Sequence, residues 1–183
     1  MRKVTLTFGL IAGVIVSVFF VIGVSLCESG KINLDNSDLL GYASMVIALS
    51  MIFFGIKSYR DNYQSGVIKF GKGLQVGLLI TLVAALIYAA AGEVYYQASP
   101  DSQLALMDKL ADHQVNRMKE KGASSVEIDQ MAKEMADMKE MFKNPLLRFG
   151  MTLAIILPVG IVITLVSAAV LRKKEFLAAE PLT

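Results

Sequence analysis

Four long apolar stretches without a charged residue divide the chain, at residues 4–26, 39–56, 73–92 and 149–171. Each is close to the length of about 20 residues with which an α-helix crosses the hydrocarbon of a bilayer. The first stretch is longer than the apolar part of a signal peptide, which is about 7–15 residues. The pattern therefore predicts four membrane spans, and the first is expected to remain in the protein as a span and not to be cleaved off as a signal peptide.

A different pattern occupies residues 99–148, between spans 3 and 4. Apolar residues recur there every three or four positions, in two segments separated by Gly122. Ser124 and Glu127 form a capping-box motif that opens the second segment, and Pro145 ends it. The segment is predicted to be a helical hairpin, whose apolar faces meet each other, lie on the membrane or pair with a second copy.

These patterns together predict an all-α membrane protein of four transmembrane helices, with an amphipathic helical hairpin between spans 3 and 4. Residues 1–98 contain spans 1–3 and a basic loop at 57–72, residues 99–148 form the extramembrane hairpin, and residues 149–183 contain span 4 and a short tail.

Cations mark one side of the predicted bundle. Arg2 and Lys3 precede span 1, and three cations follow span 4 at residues 172–174. The basic loop on the same side carries cations interleaved with aromatic residues, which is typical of the headgroup layer of a bilayer. Its cations are Lys57, Arg60, Lys69 and Lys72. We interpret these four as lipid anchors, with both termini cytoplasmic and the hairpin extracytoplasmic.

Composition excludes several other classes of protein. The chain is 55% hydrophobic and 19% charged, with a mean hydropathy of +0.56. A net charge of +2 argues against a nucleic-acid surface. The single cysteine, Cys27, rules out an intramolecular disulfide and a cysteine-based zinc site.

Small residues at a spacing of four occur in two spans, as Gly9 with Gly13 and Gly73 with Gly77. Such a stripe lets a second helix approach closely in lipid. Packing within the chain and a homodimer face are both consistent with it.

One carboxylate, Glu93, follows the charge-free part of span 3, where Tyr96 and Gln97 lie one helical turn further on. An ionisable group inside hydrocarbon is costly and often functional. Counting along the span places Glu93 at the interface, bonded to water or a neighbouring tyrosine, while a cation- or proton-coupling role is the alternative. Pro158 interrupts span 4 and makes either a packing kink or a gating hinge.

The hairpin is rich in methionine, and three of its methionines share one helix face: Met131, Met135 and Met138. Thioethers are soft ligands that suit Cu(I). Methionine is also an adaptable packing residue. Both the copper site and plain packing are therefore open, and no other metal or cofactor is indicated.

The residues around the basic loop also carry a family resemblance. The chain resembles the domain-of-unknown-function 4199 family of small bacterial integral-membrane proteins, through Gly41-Tyr42, the run 51–63 (MIFFGIKSYRDNY), Gly66, Phe70-Gly71-Lys72, the run 77–81 (GLLIT) and Pro158-Val-Gly160. The resemblance implies a four-span bacterial membrane protein and brings no activity or site residues. We expect its location to be the bacterial inner membrane.

No nucleotide loop, nucleophile elbow or zinc-protease motif occurs in the sequence. We therefore expect a non-enzymatic accessory or scaffold protein, with the lipid bilayer and a second copy or another membrane protein as partners. The alternative is a small transporter or channel subunit that uses Glu93 and the break at Pro158.

Overall fold

Six α-helices and no strands make up residues 1–29 and 34–172, which the computed structural model describes. In chain order they are α1 (Arg2–Glu28), α2 (Leu34–Tyr63), α3 (Phe70–Ala98), α4 (Pro100–Glu120), α5 (Ser125–Lys143) and α6 (Pro145–Leu171). Four of them, α1, α2, α3 and α6, are long and apolar enough to cross a membrane. The fold class predicted from the sequence is confirmed.

The four spans form a bundle in which α3 packs against α1, α2 and α6. Its core consists of apolar residues from all four spans, such as Ala12, Ile52, Ile80 and Ile156. Large apolar side chains also cover the outside, including Leu10, Leu82 and Val162. An apolar exterior of this extent is compatible with a lipid surround and not with water.

Small residues set the distance between α3 and its neighbours. A Cβ added at Gly9 would lie 2.6 Å from Cβ of Val83, and one added at Gly13 would lie 2.7 Å from Cβ of Ile87. The first glycine stripe is therefore used for packing of α1 against α3, within the chain.

The second glycine stripe faces α6. A Cβ at Gly73 would lie 3.2 Å from Cβ of Ala168, and one at Gly77 would lie 2.5 Å from Cγ2 of Thr164. Thr81, one turn further along α3, donates its hydroxyl to the Gly77 carbonyl at 2.9 Å and lies 3.3 Å from the Thr164 hydroxyl. Because the Thr81 proton is already used, Thr164 is the donor between the two spans.

The basic loop is shorter than the sequence suggests. α2 continues through Tyr63 and α3 begins at Phe70, so only residues 64–69 connect them. The helix extends past the apolar span because Tyr59 and Arg60 are buried there and Lys57 pairs with Asp61 one turn on, at 2.8 Å.

The helical hairpin lies where the sequence predicts it, and its two helices pack against each other. The capping box at Ser124 and Glu127 is formed, and Gly122 adopts a positive φ of 75° in the turn. Helix α4 also contacts α1 and α3, whereas α5 contacts α4 and α6 and reaches α3 through the rings of Phe142 and Tyr96. The hairpin is therefore layered, with α4 over the end of the bundle and α5 outside it.

Candidate functional site

The end of α3 and the start of α6 are joined by an ion pair between Glu93 and Arg148. The guanidinium donates through Nε to Glu93 Oε2 at 2.9 Å and through Nη2 to Oε1 at 2.5 Å. Arg148 is only 4% exposed, and the side chain of Glu93 is 22% exposed. A bidentate pair of this kind fixes both the distance and the relative orientation of the two side chains.

Aromatic residues complete the surroundings of Arg148. Its guanidinium carbon lies 3.6 Å from the centre of the Tyr96 ring, and Phe142 packs edge-on against Tyr96 at 5.8 Å between ring centres. A cation stacked on an aromatic face is stabilised by the quadrupole of the ring.

The same arginine also reaches α5. Its Nη1 donates to the carbonyl of Phe142 at 2.8 Å, in the last turn of that helix. Because the last carbonyls of a helix have no partner within it, a cationic donor is well placed there. Arg148 thus links α3, α5 and α6, and we call Glu93, Tyr96, Phe142 and Arg148 the hairpin clamp.

Local sequence explains why Arg148 sits in this position. Asn144 is the N-cap of α6 and accepts from the backbone N–H groups of Leu146 and Leu147, and Pro145 occupies the first helical position. Arg148 is thereby held in the first turn of α6, across from the last turns of α3.

Neither charge of the clamp lies toward the end of its helix that the helix macrodipole favours. A cation near a helix N-terminus and an anion near a C-terminus both oppose the macrodipole. Arg148 and Glu93 occupy those two positions. Their placement is therefore explained by the pairing between them and not by the helices that carry them.

The sequence predicts an interfacial Glu93 bonded to water or to a neighbouring tyrosine. Glu93 does lie near the end of α3, and Gln97 donates to its Oε1 at 3.3 Å. Its main partner, however, is Arg148, and Tyr96 stacks on that arginine. Arg148 was not among the residues predicted from the sequence, although its position one turn after the Asn144-Pro145 boundary signals a charge at the entry of span 4.

Pro158 lies inside α6, which continues through it as one helix, and the proline side chain is exposed on the outside of the bundle. The residue facing the interior is Gly160, which packs against Thr81. Pro158 lies more than two helical turns beyond Arg148 along α6, so the structure does not bring it next to Glu93.

The four cations predicted to anchor lipid occupy different environments at the opposite end of the bundle. Lys69 is exposed, and Lys57 and Lys72 are half-buried. Arg60 is fully buried, and its Nε donates to Asp61 Oδ1 at 2.7 Å. Arg60 therefore presents no surface to a headgroup, whereas lipid contact by the three lysines stays a prediction.

The methionines of the hairpin are split between two environments. Met131 and Met135 are half-buried, and Met138 is exposed. Within the described residues, no group of three or more His, Cys, Asp or Glu side chains is close enough to hold a metal ion. Cu(I) binding by the methionines stays a hypothesis.

The outward side of α5 is acidic. The helix carries five carboxylates and three lysines. Lys139 is paired with Asp108 of α4 at 2.5 Å, and Lys143 is paired with Glu140 at 2.6 Å. Exposed carboxylates remain along the rest of the helix, at Asp129, Glu134 and Asp137, and they outnumber Lys133, the exposed lysine between them. We call these three the acidic face.

Comparison with known proteins places the chain in a family. Residues 7–173 match the family described as "Protein of unknown function (DUF4199)", which covers almost the whole chain. No curated protein and no solved structure is significantly similar to the chain. The match includes span 1 from residue 7 onward, the other three spans, the hairpin and the clamp, and the protein therefore belongs to the DUF4199 family.

Proposed function

We propose that the protein is a non-enzymatic accessory or scaffold protein of a bacterial inner membrane, and that the hairpin is its interaction surface. The four spans form the base, and the hairpin clamp holds α5 at a defined angle to it. The observation that carries the proposal is the acidic face, which is exposed on an element fixed to the bundle by Arg148.

The charge of this face indicates the kind of partner. Three exposed carboxylates on one helix attract a basic surface and disfavour an acidic one. Their attraction is long-ranged and decreases with salt, because exposed charges are screened over about 8–10 Å at physiological ionic strength. We therefore propose a protein partner with a basic segment, bound in a salt-dependent manner.

The geometry supports this role better than the transporter or channel alternative. Glu93 makes a bidentate contact with Arg148, so a coupling role would first require that this pair be broken. Close packing of Gly77 against Thr164 also leaves no room for a solute at that level of the contact between α3 and α6. The alternative makes a distinct prediction, namely that Glu93→Gln abolishes a flux while the amount of protein in the membrane is unchanged.

Photo-crosslinking in native membranes tests the interaction role. A benzophenone amino acid is placed at Asp137 on the acidic face, and in a control at Val162, an exposed apolar residue of α6. We expect a protein adduct from position 137 that decreases with added salt and is lost in Glu134→Lys. Asp112→Lys, a matched exposed site on α4, is expected to retain it.

An adduct with twice the mass of the chain identifies a second copy as the partner. Absence of any adduct at position 137, or an adduct that is unaffected by both salt and Glu134→Lys, contradicts the proposal.

A further inference from the structure

A cavity and a groove between the spans differ in the chemistry of their linings. The cavity, of about 340 Å³, lies next to α4, and none of the described residues that line it is charged. The groove, of about 600 Å³, lies between α1 and α2 at the opposite end of the bundle, and charged and apolar side chains line it together. An uncharged apolar lining selects no particular occupant within a membrane, so the groove is the space whose chemistry points to a ligand.

The lining of the groove changes from apolar to polar along α2. Three side chains line its apolar part, toward the middle of the membrane: Phe8 of α1 and Met51 and Phe54 of α2. Four polar side chains line the rest, within the last two turns of that span: Lys57, Ser58, Asp61 and Asn62. At 1.5 Å per residue the α2 lining extends over about 16 Å. This order matches a membrane lipid, whose acyl chains point to the middle of the bilayer and whose headgroup lies at the surface.

The polar part of the groove carries one cation and one anion. Lys57 Nζ donates to Asp61 Oδ2 at 2.8 Å, which leaves two N–H groups of the ammonium unused among the described residues. The two side chains are 30% and 13% exposed, respectively. Asp61 also accepts from Arg60 Nε at 2.7 Å, and a carboxylate with two such bonds still has acceptor sites to spare. Because the two lining charges are of opposite sign, the polar part suits a headgroup that itself carries both signs.

Ser58 and Asn62 add one donor and one acceptor to the polar part. The amide Nδ2 of Asn62 donates to the Ser58 carbonyl at 2.9 Å and to the Ser58 hydroxyl oxygen at 3.2 Å. Because a carbonyl only accepts, the amide nitrogen must face it, and Asn62 Oδ1 is left without a donor among the described residues. The Ser58 hydroxyl accepts in this contact, so its own proton is available. The polar part therefore offers donors at Lys57 and Ser58. Its acceptors are at Asp61 and Asn62.

We propose that this groove binds phosphatidylethanolamine. The phosphate of the lipid accepts from Lys57 Nζ and the Ser58 hydroxyl, its primary ammonium donates to the acceptors of Asp61 and Asn62, and an acyl chain lies along the apolar part. Two carbons link phosphate and ammonium in this headgroup, which suits a cation and an anion one helical turn apart. Phosphatidylcholine carries the same charges, but its trimethylammonium has no N–H to donate. An anionic headgroup has no ammonium to pair with Asp61, and its charge would repel that carboxylate.

Native mass spectrometry of the full-length protein in detergent tests the site. Dioleoyl phosphatidylethanolamine competes at equal concentration with dioleoyl phosphatidylcholine, and in a second series with dioleoyl phosphatidylglycerol, so that only the headgroup differs. We expect the first lipid adduct of the wild type to contain phosphatidylethanolamine in excess of either competitor. The expected excess is about two- to tenfold, which is the range that the net contribution of one hydrogen bond gives.

The donor to the phosphate is tested with a matched pair of lysines. Lys57→Met is expected to weaken the phosphatidylethanolamine and phosphatidylcholine adducts alike, since both lipids carry the phosphate, and Asp61 keeps its bond from Arg60 in this variant. Lys72→Met is the control, because Lys72 is also half-buried at this end of the bundle, bonds to Gln75 on its own helix at 2.9 Å and does not line the groove. Lys72→Met is expected to leave both adducts unchanged.

The acceptors of the ammonium are tested by a change of preference between lipids. Asp61→Asn is expected to remove the preference for phosphatidylethanolamine over phosphatidylcholine and to raise the share of phosphatidylglycerol, because the lining then carries a cation alone. A second variant guards against misfolding, since Asp61 also pairs with the buried Arg60. Asn62→Leu is expected to reduce the same preference, whereas Gln64→Leu, which is equally exposed and does not line the groove, is expected to keep it.

Three results would overturn the proposal. Equal adducts of phosphatidylethanolamine and phosphatidylcholine in the wild type would mean that the groove does not recognise the ammonium. Equal losses in Lys57→Met and Lys72→Met would mean that the cationic end of the bundle holds lipid as a whole. An unchanged preference in both Asp61→Asn and Asn62→Leu would mean that the headgroup is recognised elsewhere on the protein.

Discussion

Arg148 is the residue on which the attachment of the hairpin depends. It contacts Glu93 of α3, stacks on Tyr96 and donates to the carbonyl of Phe142 at the end of α5. Loss of one partner of a buried charged pair leaves the other charge without compensation, which costs more than the pair itself contributes.

The clamp predicts a strong coupling between its two charges. Glu93→Gln alone is expected to destabilise the protein by about 1–3 kcal/mol, because Arg148 is then buried without a counter-charge. The double variant Glu93→Gln with Arg148→Met is expected to cost less than the sum of the two single changes. Thermal unfolding of the four proteins in one detergent measures this cycle.

The exposed pair of Lys143 and Glu140 is the control for this cycle. Both side chains are largely exposed, so Lys143→Met is expected to change stability by less than about 1 kcal/mol. Equal effects of the buried and the exposed pair would contradict the assignment of Arg148 as the anchor of the hairpin.

Gly77 has no side-chain carbon, and this allows α3 to approach α6 closely. An alanine there would place Cβ 2.5 Å from Cγ2 of Thr164 and 2.9 Å from Cδ1 of Ile56. Overpacking of a dense interior typically costs about 1–3 kcal/mol, and we expect Gly77→Ala to be destabilising by that amount.

Gly92→Ala provides the comparison, since an added Cβ there meets no atom within 4 Å. Alanine is favoured over glycine in a helix by roughly 0.5–1 kcal/mol, so this variant is expected to be neutral or slightly more stable. Thermal unfolding in detergent again provides the measurement, and a stable Gly77→Ala would show that α3 and α6 can move apart.

At the scale of the elements, the links on either side of the hairpin are very short. Ser99 alone separates α3 from α4, and Asn144 alone separates α5 from α6. Because α3 and α6 pack antiparallel, the two ends of the hairpin lie side by side. The clamp holds the end that α5 forms. The short links and the clamp therefore fix the orientation of the hairpin relative to the bundle.

The start of α5 predicts a pH-dependent element. The backbone N–H of Ser124 and then its hydroxyl donate to Glu127, both at 2.8 Å, and these bonds lower the pKa of Glu127 below its usual value. A lowered pKa in the folded state means that the ionised form stabilises the fold. This contribution is complete above the pKa of the unfolded chain, about 4.3, and is lost as the pH falls through the lower pKa of the folded state.

Carbon-13 NMR of the Glu127 carboxyl in the micelle-bound protein measures this pKa directly. Ser124→Ala removes the hydroxyl donor and is expected to raise the pKa of Glu127 toward its usual value. An unchanged pKa in Ser124→Ala would mean that the hydroxyl contributes nothing to the capping box.

For the whole molecule, the order of the spans places the start of α1, the 64–69 connection and the end of α6 at one end of the bundle, with the hairpin at the other. The distribution of cations then predicts which end faces the cytoplasm. A cysteine that reports on sidedness must avoid Gly122 in the turn of the hairpin, because Gly122 has a positive φ that a cysteine would adopt only with strain.

The sidedness is therefore tested at Lys121, an exposed residue next to that turn, and at Gln64 in the opposite connection. Each receives a single cysteine on a Cys27→Ser background. A membrane-impermeant thiol reagent is expected to label position 121 in intact cells and position 64 only after lysis. The reverse pattern would place the hairpin and its acidic face in the cytoplasm. The proposed partner with a basic segment would then be a cytoplasmic protein.

Local patterns in the sequence predicted the elements correctly because those patterns arise within single helices. The four apolar runs, the apolar spacing of the hairpin and the capping box at Ser124 all depend on residues a few positions apart. The helix ends were less well predicted. α2 extends to Tyr63 because Tyr59 and Arg60 are buried by other parts of the protein, and no charge count along the chain reveals that burial.

The number and length of the apolar runs are enough to identify a four-span membrane protein, and the spacing of apolar residues between spans 3 and 4 is enough to identify a helical hairpin. The pairing of Glu93 with Arg148, the burial of Arg60 and the cavity between the spans are visible only in the folded bundle. These features depend on which small residues of α3 meet α1 and α6. That register follows from packing between residues far apart in the chain, which periodicity within one helix does not encode.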